Sequence, residues 1–373
     1  MIRVRDVVSA MERLAAPTLA LEGDPVGLAA GDPEQPVARV LVTLDATLGV
    51  IGEAEAARAD MIVSHHPRFY RGLKTLATVD ASGRRAWMLA RSGIALYCAH
   101  TNLDLAPGGT NDLLAAAAGI KDPAIALPAV SEPLVKLAVF VPATHVEAVR
   151  EAMCAAGAGA IGGYSDCTFR VCGVGTFKGG ADTNPFLGTP GKLEEADECR
   201  LETVIGEFSL PQALQALKAA HPYEEVAYDV YPLRRSAREY GLGRTGRLDT
   251  PTTLRSLASR LAEATGSTST RMAGDAETEV ECVATWAGGG VEADALSRLP
   301  IDALVVGEIG YHDLEVLLDR KIGVIELGHD FSETLVLPWV ANQLVTAIPG
   351  LETVVAHGPS TPMRNVFSGN TPE

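Results

Sequence analysis

The run Ala59-Asp60-Met61-Ile62-Val63-Ser64 leads directly into two adjacent histidines, His65 and His66. A second run, Ile94-Ala95-Leu96-Tyr97-Cys98, is followed by His100-Thr101-Asn102-Leu103-Asp104. Near the other end of the chain, Gly323-Val324-Ile325-Glu326-Leu327 leads into Gly328-His329-Asp330-Phe331-Ser332-Glu333. Three strand-like runs thus deliver imidazoles and carboxylates just past their ends. That edge of an open α/β sheet is where sites assemble. Nitrogen and oxygen donors of this kind suit a pair of borderline divalent cations.

Each group also has a plain structural reading. His329 and Glu333 are four apart at the start of a predicted helix, so they share a face and can ligate one centre. Alternatively they are a capping residue and a solvated glutamate. Neighbours in a strand point opposite ways, so His65 and His66 reach one site only through a turn, which Pro67 favours. Otherwise one is a core and the other a surface histidine. Asp104 is either a ligand on a rigid loop or an Asx-turn carboxylate. His100 reads as a ligand, a hydrogen-bonding partner of one, a substrate contact or a buried structural histidine. Glu308, Tyr311, His312 and Asp313 form a further polar group past a strand. One of them could be an acid/base or orient a ligand; Asp313 also fits a helix N-terminus. Asp45 and Thr47 stand at a strand exit and are candidates to line the pocket. His145, His221 and His357 read as structural or exposed.

The elements needed to position these groups alternate. Val4 to Leu14 is a predicted helix, Val37 to Leu44 a strand, Leu48 to Ala59 a helix and Met61 to Ser64 a buried strand. Ala81 to Ser92, Ile94 to Cys98 and Asn111 to Gly119 continue the pattern. This predicts a layered α/β half over residues 1–130. The pattern changes near Pro128 to Pro133. Strands at Leu134–Val141, Ala160–Thr168, Thr168–Thr176, Arg200–Ile205 and Val226–Tyr231 surround helices at Pro142–Ala156 and Pro211–Ala220. Two strand-helix-strand halves predict a ferredoxin-like α+β insertion over 131–235. The first kind of alternation resumes over 236–373, with a helix at His312–Leu318, the strand before His329 and a helix from Ser332 to Val345. Residues 358–373, rich in Gly, Pro, Ser and Thr, read as a mobile tail.

The 373 residues carry a net charge of −16, which argues against sequence-independent nucleic-acid binding. No apolar run approaches the roughly 18 residues of a membrane span, and the amphipathic start is no signal peptide. Six cysteines without a C-x-x-C pair read as reduced, mostly buried thiols in a cytoplasmic protein. Cys167 and Cys172 are close enough in sequence to form a bridge if one exists. The glycine clusters Gly288-Gly289-Gly290 and Gly241-Leu242-Gly243 lack the spacing of a phosphate- or dinucleotide-binding loop.

The set Ser64-His65-His66-Pro67, Ala99-His100-Thr101-Asn102-Leu103-Asp104, Gly108-Gly109-Thr110-Asn111-Asp112, Gly307-Glu308-Ile309-Gly310-Tyr311-His312-Asp313 and Gly328-His329-Asp330-Phe331-Ser332-Glu333 resembles the GTP cyclohydrolase 1 type 2 homologue family of dinuclear metal-centre hexameric proteins. The middle segment, through Asn184-Pro185-Phe186-Leu187-Gly188, His221-Pro222-Tyr223-Glu224-Glu225 and Ala227-Tyr228-Asp229, resembles the PII/CutA-like insertion of its longer members. The resemblance implies two divalent ions per subunit (Zn, Fe, Mn or Co) held by His65, His66, Asp104, His329 and a bridging Glu333. It implies a ring of six subunits with the sites facing an internal cavity. Two departures stand out: Gly23-Asp24-Pro25 lies where members often carry Trp-Asp-Asn, and Gly310 where a basic residue is common.

The leading expectation is a metal-dependent hydrolase acting on a nucleotide-like substrate, with His100 or His312 moving the proton. The rival is a non-enzymatic metal-loaded regulator or platform, with the insertion as its ligand-sensing part.

Overall fold

A computed structural model describes residues 1–67, 69 and 72–357. The expected mobile tail, 358–373, lies outside the described residues. The chain forms two compact units, one of residues 1–129 and 240–373 and the other of residues 130–239. Among the described residues, no helix is long and apolar enough to cross a membrane.

The first unit holds two sheets. Strands β1 (Gly27–Ala30), β2 (Arg39–Thr43), β3 (Met61–Ser64) and β4 (Ala95–Cys98) join the C-terminal strand in one sheet. The long β5 (Ile120–Pro142) follows; β6 (Thr168–Lys178) and β7 (Leu193–Gly206) belong to the second unit. The long β8 (Tyr228–Thr253) is followed by β9 (Arg271–Ala273), β10 (Glu279–Trp286), β11 (Ala303–Val306), β12 (Gly323–Glu326) and β13 (Glu352–Val355). The first sheet has the order β1-β4-β3-β2-β13. Its β13, β2, β3 and β4 are parallel, and β1 closes the edge antiparallel. In the other sheet β10, β11 and β12 are parallel, flanked antiparallel by the end of β8 and by β9. β3, β4 and β11 are buried at every position, as strands covered on both faces must be.

Helix Thr110–Ala118, from the first half of the sequence, packs Leu114, Ala115 and Ala118 into one core with Leu254, Leu257, Val283, Val305 and Ile325 from the second half. Polar clamps reinforce this joint. Buried Asn111 donates from Nδ2 to Asp104 O at 3.1 Å and accepts from Ala287 N at 3.1 Å. Arg244, 5% exposed, meets Asp112 and donates to Gly241 O and Gly243 O.

In the second unit β7 lies between β5 and β6, both antiparallel to it. Helices Val146–Ala155 and Leu210–Ala220 bury Val149, Met153, Ala213 and Leu217 against Leu137, Val139 and Leu201.

Two local expectations are corrected and a third is located. The segment 160–168 is not a strand before Thr168: it makes turns and one isolated bridge, Ile161 to Tyr164, with left-handed backbone at Gly162 and Asp166. The change of pattern near Pro128–Pro133 coincides with the division of the chain at 129/130, within the continuous β5. The cysteines are not all thiols: Cys172 and Cys199 stand opposite each other in the β6–β7 register and form a disulfide. Cys98, Cys154, Cys167 and Cys282 are outside any disulfide, and of these four only Cys98 is buried.

Candidate metal centre

In each of the two sheets the parallel strands bring their C-terminal ends to one edge. β3 stops at Ser64, yet His65 N donates to Thr43 O at 3.0 Å and His66 N to Leu44 O at 2.8 Å. This bend beyond the strand places the two rings 5.0 Å apart. His100 follows β4 and precedes the short helix Thr101–Leu105 that carries Asp104. Fully buried Asn102 pins that helix: its Oδ1 accepts from His100 N at 2.9 Å and its Nδ2 donates to Ala15 O at 2.7 Å. Past β12, helix His329–Glu333 sets its first and last side chains on one face, with His329 Nε2 3.4 Å from Glu333 Oε1. The longer helix expected from Ser332 starts instead at Val336.

Glu333 is 3% exposed and sits among the imidazoles. His65 Nε2 lies 3.6 Å from Glu333 Oε1 and 3.6 Å from Asp104 Oδ1. His66 Nε2 lies 2.9 Å from Glu333 Oε2 without the alignment of a hydrogen bond. His100 joins at 5.2 Å from the His65 ring and His329 at 5.3 Å from the His66 ring. Two overlapping donor groups result, His65/His66/His100 and His66/His329/Glu333.

Each opposite nitrogen lies beside an oxygen, through a hydrogen bond at His65, His66 and His100 and an ion pair at His329. His65 Nδ1 is 2.9 Å from Ala99 O, His66 Nδ1 3.1 Å from Asp45 Oδ1, His100 Nδ1 3.0 Å from Asp24 Oδ1, and His329 Nδ1 3.1 Å from Glu308 Oε1. An acceptor on Nδ1 leaves Nε2 as the lone-pair nitrogen, which is how metal-binding imidazoles are held. Meanwhile His65 Nε2, His66 Nε2, Asp104 Oδ1 and Glu333 Oε2 are buried with no hydrogen-bond partner. Buried polar atoms are rarely left so. Four of them facing one another fit a cation pair, and the donor set fits borderline metals.

The electrostatics agree. Burial opposes the Glu333 charge, but His65, His329 and His66 hold its pKa well below the ordinary carboxylate range. Burial also opposes protonation of His65 and His66, yet Asp104 and Glu333 raise the first and Glu333 the second. Contact with Glu333 lifts His329 to about 9. Burial raises Asp104. Without cations, protons on the imidazoles balance the carboxylates; a cation would displace them.

The structure thus brings together His65, His66, Asp104, His329, Glu333 and His100. It does not bring His312 to them. That side chain is 93% exposed and pairs with Glu315 at 3.2 Å, because the first turn of helix Tyr311–Asp319 turns it to solvent. His221 is buried against Phe140 O, and His357 is exposed beside Glu53. The residue that sequence reasoning overlooked is Asp24, although Gly23-Asp24-Pro25 stands out in the chain. Asp45 and Glu308 were visible as polar residues at strand exits, but nothing in the sequence paired either with a particular histidine.

Comparison with known proteins shows the family of the chain. The sequence model of the Duf34/NIF3 (NGG1p interacting factor 3) family matches residues 2–362. A Halalkalibacterium halodurans protein named GTP cyclohydrolase 1 type 2 homolog is 40% identical over 331 residues, 88% of this chain and 89% of that one. A Bacillus subtilis protein of the same name is 38% identical, with 92% of each chain covered. The crystal structure of a Bacillus cereus protein related to NIF3 superposes with a TM-score of 0.87 at 34% identity, covering 98% of this chain and 99% of that one. With its whole length matched and its strand ends converging on one His/Glu cluster, the chain belongs to the DUF34/NIF3 family.

Proposed function

We propose that the chain is a dinuclear metal hydrolase acting on a nucleotide-like substrate. His65, His66, Asp104 and His329 would each hold one of two cations, and Glu333 both. The observation that carries this is the buried, partnerless set His65 Nε2, His66 Nε2, Asp104 Oδ1 and Glu333 Oε2, in which both imidazoles are tied back through Nδ1. Zn, Mn, Fe or Co all suit these donors. When bound, the pair supplies Lewis acidity and brings the pKa of a coordinated water toward neutrality.

The chain's own groups do the rest. Glu333 has two oxygens facing different imidazoles, so one carboxylate can serve two centres. His100 is the imidazole left outside the five-residue ligand set. Its Nδ1 is held by Asp24, which leaves Nε2 as the nitrogen to take a proton from a nucleophile and return it to a leaving group. The relatives' name, GTP cyclohydrolase 1 type 2 homolog, supports a nucleotide such as GTP. Assembly of six subunits into a ring is part of the same proposal.

The test is turnover. Protein loaded with each metal is offered GTP and a panel of phosphoesters. Activity that disappears in Glu333→Ala and His65→Ala supports the hydrolase. Absence of turnover with every metal favours the second reading, a metal-loaded interaction protein. The family's description as an interacting factor supports that alternative.

A further inference from the structure

We infer that Glu308 is the positioning residue that holds the His329 ring in its metal-binding orientation, and that Gly289 is glycine to make room for it. This rests on the metal-centre reading above.

The exits of the three parallel strands stay zippered beyond their ends. Gly307 N donates to Trp286 O at 3.2 Å, Glu308 N to Gly288 O at 3.0 Å and Gly328 N to Gly307 O at 2.9 Å. Glu308 therefore leaves the middle strand between the Gly288–Gly290 turn and His329. Its Oε1 lies 3.1 Å from His329 Nδ1.

Three other imidazoles in the cluster have shielded acceptors: a main-chain carbonyl for His65, Asp45 with 14% side-chain exposure for His66 and Asp24 with 4% for His100. Glu308 is 59% exposed, and His329 at 37% is the most exposed of the four rings. An isolated surface pair of this kind contributes little and seldom holds one geometry. Here the turn supplies the constraint. Trp286 Nε1 donates to Gly289 O at 3.0 Å and fixes the turn. A Cβ on Gly289 would lie 2.6 Å from Glu308 Oε1 and 3.1 Å from its Cγ. The carboxylate thus occupies the space a side chain would fill. The φ of Gly289 is not in the left-handed region, so its backbone would accept alanine. What alanine displaces is the flexible end of Glu308.

The contact selects a tautomer. With Oε1 beside Nδ1, a proton is favoured on Nδ1, so Nε2, 3.4 Å from Glu333, is the nitrogen that gives up its proton to a cation. Without it the ring can rotate or exchange tautomers, and the donor nitrogen is free to turn away from the centre.

The experiment titrates metal-free protein with Co(II), following calorimetry and the visible absorption bands of bound cobalt. Glu308→Ala and Gly289→Ala should each weaken cobalt binding about ten- to hundred-fold and change the band shape. Glu308→Gln keeps an acceptor oxygen and should recover most of the affinity. Glu315→Ala, a surface control, should bind like the parent. Melting of the metal-free variants should match the parent, which separates ring positioning from a general fold defect. The inference is overturned if Glu308→Ala and Gly289→Ala bind cobalt with parental affinity and spectrum while His329→Ala has lost an ion. If His329→Ala also binds like the parent, the metal-centre reading itself falls.

Discussion

Asp24 grips His100 with both carboxylate oxygens, 3.0 and 3.1 Å from Nδ1. The same carboxylate accepts Thr101 N at 3.0 Å and Thr101 Oγ1 at 2.5 Å. Burial works against its charge, but these bonds hold its pKa below the ordinary value. Asp24→Asn keeps the shape and removes the charge. We expect turnover to fall about hundredfold or more with metal content unchanged. Loss of metal in this variant would make His100 a ligand and not a proton carrier.

Removing a ligand should remove metal. His65→Ala, His329→Ala and Glu333→Ala should each contain fewer ions per chain by elemental analysis, with Glu333→Ala the most depleted because it serves both positions. Unchanged stoichiometry in any one variant rejects that residue as a ligand.

The cluster should make stability respond to pH in opposite senses with and without metal. In the metal-free protein Glu333 has a lowered pKa, so its contribution is present above the unfolded value of about 4.3 and fades as pH falls through the folded one. His329 is raised to about 9, so its contribution is full below the unfolded value of about 6.5 and is lost as pH rises toward 9. Metal-free protein should therefore melt at falling temperature from about pH 6.5 to 9. Metal-loaded protein should gain over that interval, because cations need deprotonated imidazoles. Melting curves with chelator and with zinc check this; parallel slopes would count against it.

The joint within the first unit should be costly to break. Arg244→Met strands Asp112 beside a buried apolar side chain and should destabilise by about 3 kcal/mol. Asn111→Ala leaves Ala287 N and Asp104 O unpaired and should cost about 1–3 kcal/mol. Urea unfolding of the metal-free proteins measures both.

Residues 131–239 should be dispensable for metal binding. Their ends meet, Ser131 Oγ donating to Glu239 Oε1 at 2.8 Å, so a short Gly/Ser turn can replace the segment. The shortened chain should retain its ions; an unfolded or metal-free product would show that the segment is needed to build the site.

Much of the site was legible because its residues follow recognisable strands. Met61–Ser64 and Ala303–Val306 are short apolar runs with abrupt polar exits, and within each of their two sheets the exits of parallel strands gather at one edge. His312 shows where that logic stops. It too follows a strand, but a helix turn sends it to solvent, and rotation about a helix axis is not set by distance from a strand end. The Cys172–Cys199 bridge was hidden for a similar reason, since spacing made Cys167 the nearer partner while strand register chose Cys199.

Local sequence determined the kinds of donor, the strands that carry them and the unit to which each belongs, because hydrophobic period and polar exits are properties of neighbouring residues. Only the tertiary structure decided which carboxylate turns each imidazole: Asp24 for His100, Asp45 for His66 and Glu308 for His329. Those partners lie up to 76 residues apart in the chain. Their pairing depends on side-chain directions at the ends of separate strands, which are set when the sheets pack and not before.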